Sequence, residues 1–274
     1  MEIQNTQKDY EDVASINMLV YGVGGIGKST FASTFPKPLM FDFENGAKYF
    51  KQRGINLDVV RMDKWFKTDD KKQLQELVKN YETIVFDPVG EAMEKLIKSE
   101  SITGSKYRQS DGSLTMSGWG RVKDEMRTML KWARDTGKHV VVVAHDTDKP
   151  LAGSEGMTKK VPLIATKLGA ELVNMVDIVA YYDIIKLDDD EEEKRVLRVN
   201  PADNAYIAKD RTNTLGKFIK PEFDYLYEQV RSVQKEKPAT APKKKTTTKK
   251  TTTKKDKEEQ KVVKQANPFN KDKK

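Results

Sequence analysis

The chain has 274 residues, 37% of them hydrophobic, which is enough to bury one sizeable core. It has no cysteine and only two histidines, which excludes disulfides, thiolate metal sites and a histidine-rich zinc site and leaves hard cations on oxygen ligands. The net charge of +8 is unevenly placed: residues 234–274 hold 15 lysines against 5 acids (+10), which leaves −2 for residues 1–233.

The first residues, MEIQNTQKDYEDV, are polar and acidic, unlike a signal peptide. Residues 1–14 are expected to be a flexible segment. No apolar run in the sequence reaches the length of a bilayer span, so a cytoplasmic protein with no membrane partner is expected. From residue 15 to 233, apolar runs alternate with helical patterns. INMLVYG, KPLMFDF, ETIVFD and KHVVVVAH read as buried strands. In WGRVKDEMRTMLKWARDTG, Val122, Met126, Met129, Leu130 and Ala133 share one helix face, with Gly137 past the end. In LIATKLGAELVNMVD, Ile164, Leu168, Leu172 and Met175 do the same. This alternation predicts an α/β fold with a mainly parallel sheet flanked by helices. DIVAYYDII, VLRVN and AYIAKD are strand-like with short connections, so the sheet is expected to end in antiparallel strands. DDDEEEKR, from Asp188, reads as a solvated hairpin tip rather than a carboxylate cluster. Two segments poor in core residues, 99–118 and 146–162, follow the carboxyl ends of predicted strands, the edge where open α/β sheets bind ligands. Residues 234–274, rich in lysine and threonine, cannot bury enough surface to order themselves and read as a disordered basic tail. Such a tail attracts nucleic acid by counterion release, or it only solubilises. Its lone Phe269 could dock on a replication or recombination partner.

Gly22, Val23, Gly24, Gly25, Ile26, Gly27, Lys28 and Ser29, followed by Thr30, match the phosphate-loop spacing between a strand and a helix. Glycines let backbone N–H groups turn inward around phosphates, Lys28 reaches the β- and γ-phosphates, and the Ser29 hydroxyl ligates Mg²⁺. Gly22, Gly24 and Gly27 also spell a dinucleotide fingerprint, with Asp42 placed as a ribose-binding acid. Two features favour the phosphate loop with ATP: a dinucleotide site has no need of Lys28-Ser29, and no use for Asp87 at the end of TIVFD. Asp87 there reads as the second acid holding the Mg²⁺ shell. Hydrolysis also needs a group on the attacking water. Glu44, just past the second strand, is the candidate, the alternative being a helix cap. His145, ending the fourth strand, can touch the γ-phosphate, or simply bond backbone.

The order of these motifs resembles the RecA-like recombinase core over about residues 15–225. FDFENGAKYF resembles the segment bearing the catalytic glutamate, which maps onto Glu44, and TIVFDPVGEAM the second acidic motif. His145 occupies the place of the family's polar sensor, usually glutamine. The pattern GVGGIGKSTFA, DFENG, FDPV and VVVVAHD is similar to phage-encoded RecA-like ATPases, the phage AAA-family nucleotide-binding proteins grouped with single-strand annealing proteins. That resemblance implies a Mg²⁺-requiring, DNA-dependent ATPase that binds single-stranded DNA and promotes annealing or strand exchange. It implies a homo-oligomer, ring or filament, with nucleotide at subunit interfaces and Lys209 and Arg211 reaching a neighbour's nucleotide. DNA would meet Lys106, Tyr107 and Arg108 in the first loop and Lys149, Lys159 and Lys160 in the second. A nucleotide-switched loader or regulator, or a small-molecule kinase, are the alternatives.

Overall fold

The structure, a computed structural model, describes residues 15–66, 70–151, 156–165, 168–186, 192–200 and 204–232. The expectations for residues 1–14, for the acidic run from Asp188 to Glu191 and for the tail, Phe269 included, lie outside the described residues.

Six strands run parallel: β1 (Asn17–Gly22), β2 (Pro38–Asp42), β3 (Asp58–Arg61), β4 (Thr83–Asp87), β5 (His139–Pro150) and β7 (Ile178–Lys186). Across the sheet their order is β7-β1-β5-β4-β2-β3. The strand that carries His145, β5, therefore lies between the phosphate-loop strand, β1, and the strand ending at Asp87, β4. Beyond β7 the sheet turns antiparallel through β8 (Glu193–Arg198) and β10 (Phe218–Ile219), and β9 (Lys209–Asp210) pairs with the start of β7. β1, β2, β4 and the first halves of β5 and β7 are buried on both faces, which is why they read as continuous apolar runs.

Alternate residues of each strand feed two cores. On one face Leu19, Phe41, Phe86, Val142 and Val179 pack under α2 (Asp70–Val78), α3 (Val89–Ile97), α4 (Met116–Asp135) and α5 (Leu168–Met175). The predicted face of α4 is the buried one, from Val122 to Ala133. On the other face Val20, Met40, Val143, Ala180 and Leu197 pack under the short α1 (Lys28–Ala32) and α6 (Phe223–Arg231). His139 locks α6 down. Its Nδ1 accepts from the Ile16 N–H at 3.0 Å, and its ring meets Phe35, Phe223 and Tyr227 edge-on.

Several local readings change. β3, α2 and α6 have no counterpart in the sequence reading: β3 is an exposed edge strand of four residues and lacks the apolar run that marks a buried one. α5 begins at Leu168, so Ile164 precedes the helix instead of sharing its face. The two ends of the segment 146–162 are paired strands rather than loose loop. β5 runs on to Pro150 and pairs antiparallel with β6 (Thr158–Pro162), from Asp146 opposite Pro162 to Pro150 opposite Thr158. The segment 99–118 is folded on itself. Arg108 donates to the carbonyls of Ile97, Ile102 and Gly112, and Thr115 caps α4 through the Gly118 N–H at 3.0 Å. Gly118 has to be glycine, because a Cβ would stand 2.3 Å from the Tyr107 carbonyl oxygen.

Candidate functional site

The parallel strands end together, and register sets what meets there. Gly22 lies opposite His145, and Asp42 opposite Asp87. The phosphate loop leaves β1 at Gly22, where the backbone of Tyr182 on β7 comes so close that a Cβ would lie 2.6 Å from its carbonyl oxygen. Gly25 adopts φ 76°, a turn that a side chain would oppose. Lys28, at the start of α1, folds back and donates to the Gly22 and Val23 carbonyls, both at 2.8 Å. It is 5% exposed, and burial lowers its pKa, opposed by the charges of Asp87, Asp146 and Glu44. Its ammonium thus sits at the mouth of the loop, held by weak neutral acceptors that phosphate oxygens would outbid.

Ser29, at the start of α1, and Asp87, at the end of β4, are neighbours in space, and the Ser29 hydroxyl stabilises the Asp87 carboxylate. Burial pushes the Asp87 carboxyl up to about 6; the Ser29 hydroxyl pulls against that, Glu44 and Asp42 add to it, and Lys28 opposes it. A carboxylate kept in so dry a place is poised for a cation. Among the described residues no three His, Cys, Asp or Glu side chains cluster as a metal cage. The Ser29 hydroxyl and the Asp87 carboxylate are the oxygens that would hold Mg²⁺, which takes one or two protein oxygens and completes its shell with phosphate oxygens and water. The nucleotide fits too: Thr30 Oγ1 is buried and has no hydrogen-bond partner among the described residues, at the helix start where a phosphate oxygen would be its acceptor.

Asp42 decides against the dinucleotide reading. Its carboxylate accepts the backbone N–H groups of Glu44, Gly46 and Ala47 at 3.1, 3.2 and 2.9 Å, so it caps the turn after β2 and is spent. By taking that role it frees Glu44, the other candidate cap. Glu44 Oε2 instead lies 3.3 Å from His145 Nε2. The same His145 ring stands 3.9 Å from where a Cβ on Gly24 would be, beside the phosphate loop. Glu44, His145, Lys28, Ser29 and Asp87 thus come together at one edge.

A family model described as an AAA domain matches residues 14–212, which include all of these residues. The chain belongs to the AAA domain family. This AAA domain is a phosphate-loop ATPase domain by its loop, its second acid and its sheet. Among solved structures it is similar to a KaiC-like protein from Pyrococcus horikoshii OT3, at 14% identity over 70% of this chain and 80% of that one, with a TM-score of 0.37. It is also similar to the flagellar accessory protein FlaH from Methanocaldococcus jannaschii, at 11% identity over 77% of this chain and 86% of that one, with a TM-score of 0.44. No curated protein sequence matches it. Among the described residues no helix is long and apolar enough to cross a membrane.

The remaining sequence candidates of the AAA domain are placed away from this edge or engaged within the chain. Lys209 Nζ donates to the carbonyls of Val173, Asn174 and Val176 at 3.0, 3.1 and 2.6 Å, closing the carboxyl end of α5. Arg211 pairs with Asp177 at 2.7 Å. Both cations have partners in their own chain. Arg108 is taken up by its three carbonyls, and Tyr107 packs against the core, while Lys106 is exposed. Lys160 is shared between Asp146 at 3.3 Å and Asp148 at 2.9 Å, while Lys149 and Lys159 face each other across the hairpin. One residue at the site has no signal in the sequence. Arg195, read there as part of a solvated hairpin tip, lies on β8 and donates from Nε to the Ile26 carbonyl in the phosphate loop at 3.2 Å. Only the pairing of β8 with β7 reveals it.

Proposed function

We propose that the chain is a DNA-dependent ATPase of recombination, which binds single-stranded DNA and promotes annealing or strand exchange as a homo-oligomer. The observation that carries this reading is the contact between Glu44 and His145. It joins the carboxylate suited to the attacking water to a strand that runs unbroken from His145 to Pro150. That strand forms the hairpin bearing Lys149, Lys159 and Lys160. In this reading Glu44 takes the proton of a water whose oxygen attacks the γ-phosphorus, and ADP departs with the electrons of the broken bond. Lys28 follows the charge on the β- and γ-phosphates; Ser29 and Asp87 would hold Mg²⁺, which when bound would neutralise developing phosphate charge. Loss of the γ-phosphate lets Glu44 and His145 move, and β5 carries that movement to the lysines of the hairpin. Lys106 and the basic tail add phosphate contacts that carry no base preference.

A second reading, a nucleotide-switched loader or regulator, is favoured by how the loop cations are engaged among the described residues. Lys160 is neutralised by Asp146 and Asp148, and Arg108 is spent on carbonyls. ATP hydrolysis measured with and without single-stranded DNA separates the two. Stimulation by DNA, lost in Glu44→Gln by about a hundredfold or more, is the expected result. A rate indifferent to DNA would overturn the recombination reading and leave the switch.

A further inference from the structure

β8 lies beside β7 with Arg195 opposite Ile184 and Leu197 opposite Tyr182. Arg195 and Leu197 point to the same face, and Leu197 is buried in the core beneath α1. Arg195 therefore leans over the phosphate loop. Its Nε donates to the Ile26 carbonyl at 3.2 Å, and its Cδ stands 3.9 Å from where a Cβ on Gly27 would be. The Tyr182 hydroxyl comes within 3.2 Å of the same point. The stem of the arginine is thus held against the last glycine before Lys28, and the side chain as a whole is exposed. Among the described residues Arg195 forms no ion pair.

A nucleoside triphosphate brings more negative charge to this loop than Lys28 alone can balance. Guanidinium groups recognise phosphate oxygens through paired N–H donors, and Arg195 has its terminal nitrogens beyond the one it uses on Ile26. We propose that Arg195 is a polyphosphate-binding residue of this site, supplied in cis by the antiparallel strand beside the loop. This rests on the phosphate loop binding ATP. Arg195 anchors itself on the loop through Nε and reaches the phosphates with the terminal nitrogens.

The two roles can be separated. A glutamine places its side-chain nitrogen at the position of the arginine Nε, so Arg195→Gln keeps a donor for Ile26 and removes the charge. Binding of Mg-ATP, Mg-ADP and inorganic tripolyphosphate is measured by displacement of a fluorescent ADP from the full-length protein. The fold is checked by circular dichroism, and Arg195→Lys is the variant that keeps a charge. Arg195→Gln is expected to weaken all three ligands about tenfold or more, with Arg195→Lys intermediate. Tripolyphosphate bound by Arg195→Gln as tightly as by the wild type would overturn the proposal, making Arg195 a brace for the loop. Weakened nucleotides with unchanged tripolyphosphate would overturn it too, placing the guanidinium on the base or ribose. A wild-type protein that binds none of the three would refute the phosphate-loop reading itself, and this proposal with it.

Discussion

Asp87→Asn should make the nucleotide-free protein more stable at neutral pH while abolishing ATP turnover. Asp87 is 7% exposed, and burial lifts its pKa from 3.8 to about 6, an amount that already includes the attraction of Lys28 and the bond from Ser29. The folded protein therefore holds the proton more tightly than the unfolded chain. The stabilisation this provides is complete below pH 3.8 and is lost as pH rises through 6. With about 1.4 kcal/mol per pKa unit, the loss is about 1.5 kcal/mol at pH 5 and about 3 kcal/mol from pH 7 upward. Asparagine copies the shape of the protonated acid, still accepts from Ser29, and never ionises. Urea unfolding of both proteins in EDTA, from pH 4 to 8, should give curves that nearly coincide at pH 4 and separate in favour of Asp87→Asn as pH rises. Titrating groups that do not interact with Asp87 are common to both proteins and drop out of the difference. A gap independent of pH, or a wild type that is the more stable at pH 8, would refute the claim that this carboxylate is held under electrostatic strain for a cation.

Lys28→Ala should abolish ATP turnover while the circular dichroism spectrum keeps its wild-type form, because the lysine bonds only the loop's own carbonyls. Turnover retained in that variant would refute the site. Gly118→Ala should cost stability, about 1 kcal/mol or more, since its Cβ would meet the Tyr107 carbonyl oxygen at 2.3 Å; thermal unfolding reads this directly, and an unchanged midpoint would refute the packing described. Removing residues 234–274 should weaken DNA binding at low salt and flatten its dependence on salt concentration, measured by anisotropy of a labelled single strand. An unchanged slope would mean that the tail does not touch DNA.

The central part of the site is legible in the sequence because its chemistry is local. A phosphate loop needs its glycines, lysine and hydroxyl within one turn of chain, so Gly22 to Thr30 carries its meaning without the rest of the protein. Asp87 is legible for a related reason: it ends a five-residue buried strand, and a charged residue there has few other uses. Glu44 was open between a cap and a base, since both uses suit the same stretch; the hydrogen bonds to Asp42 resolve which acid does the capping.

What only the tertiary structure decided are the relations between strands. Sheet order puts β5 between β1 and β4, and that brings His145 within 3.3 Å of Glu44, 101 residues away along the chain. The pairing of β8 with β7 brings Arg195 to Ile26 across 169 residues. The same long-range packing turns Lys209 inward onto the end of α5. Hydrophobic periodicity states which face of a strand is buried, but it is the same whichever neighbour covers that face. Lysines and arginines look alike in composition whether they meet solvent, a carbonyl or a phosphate, and only the fold distinguishes them.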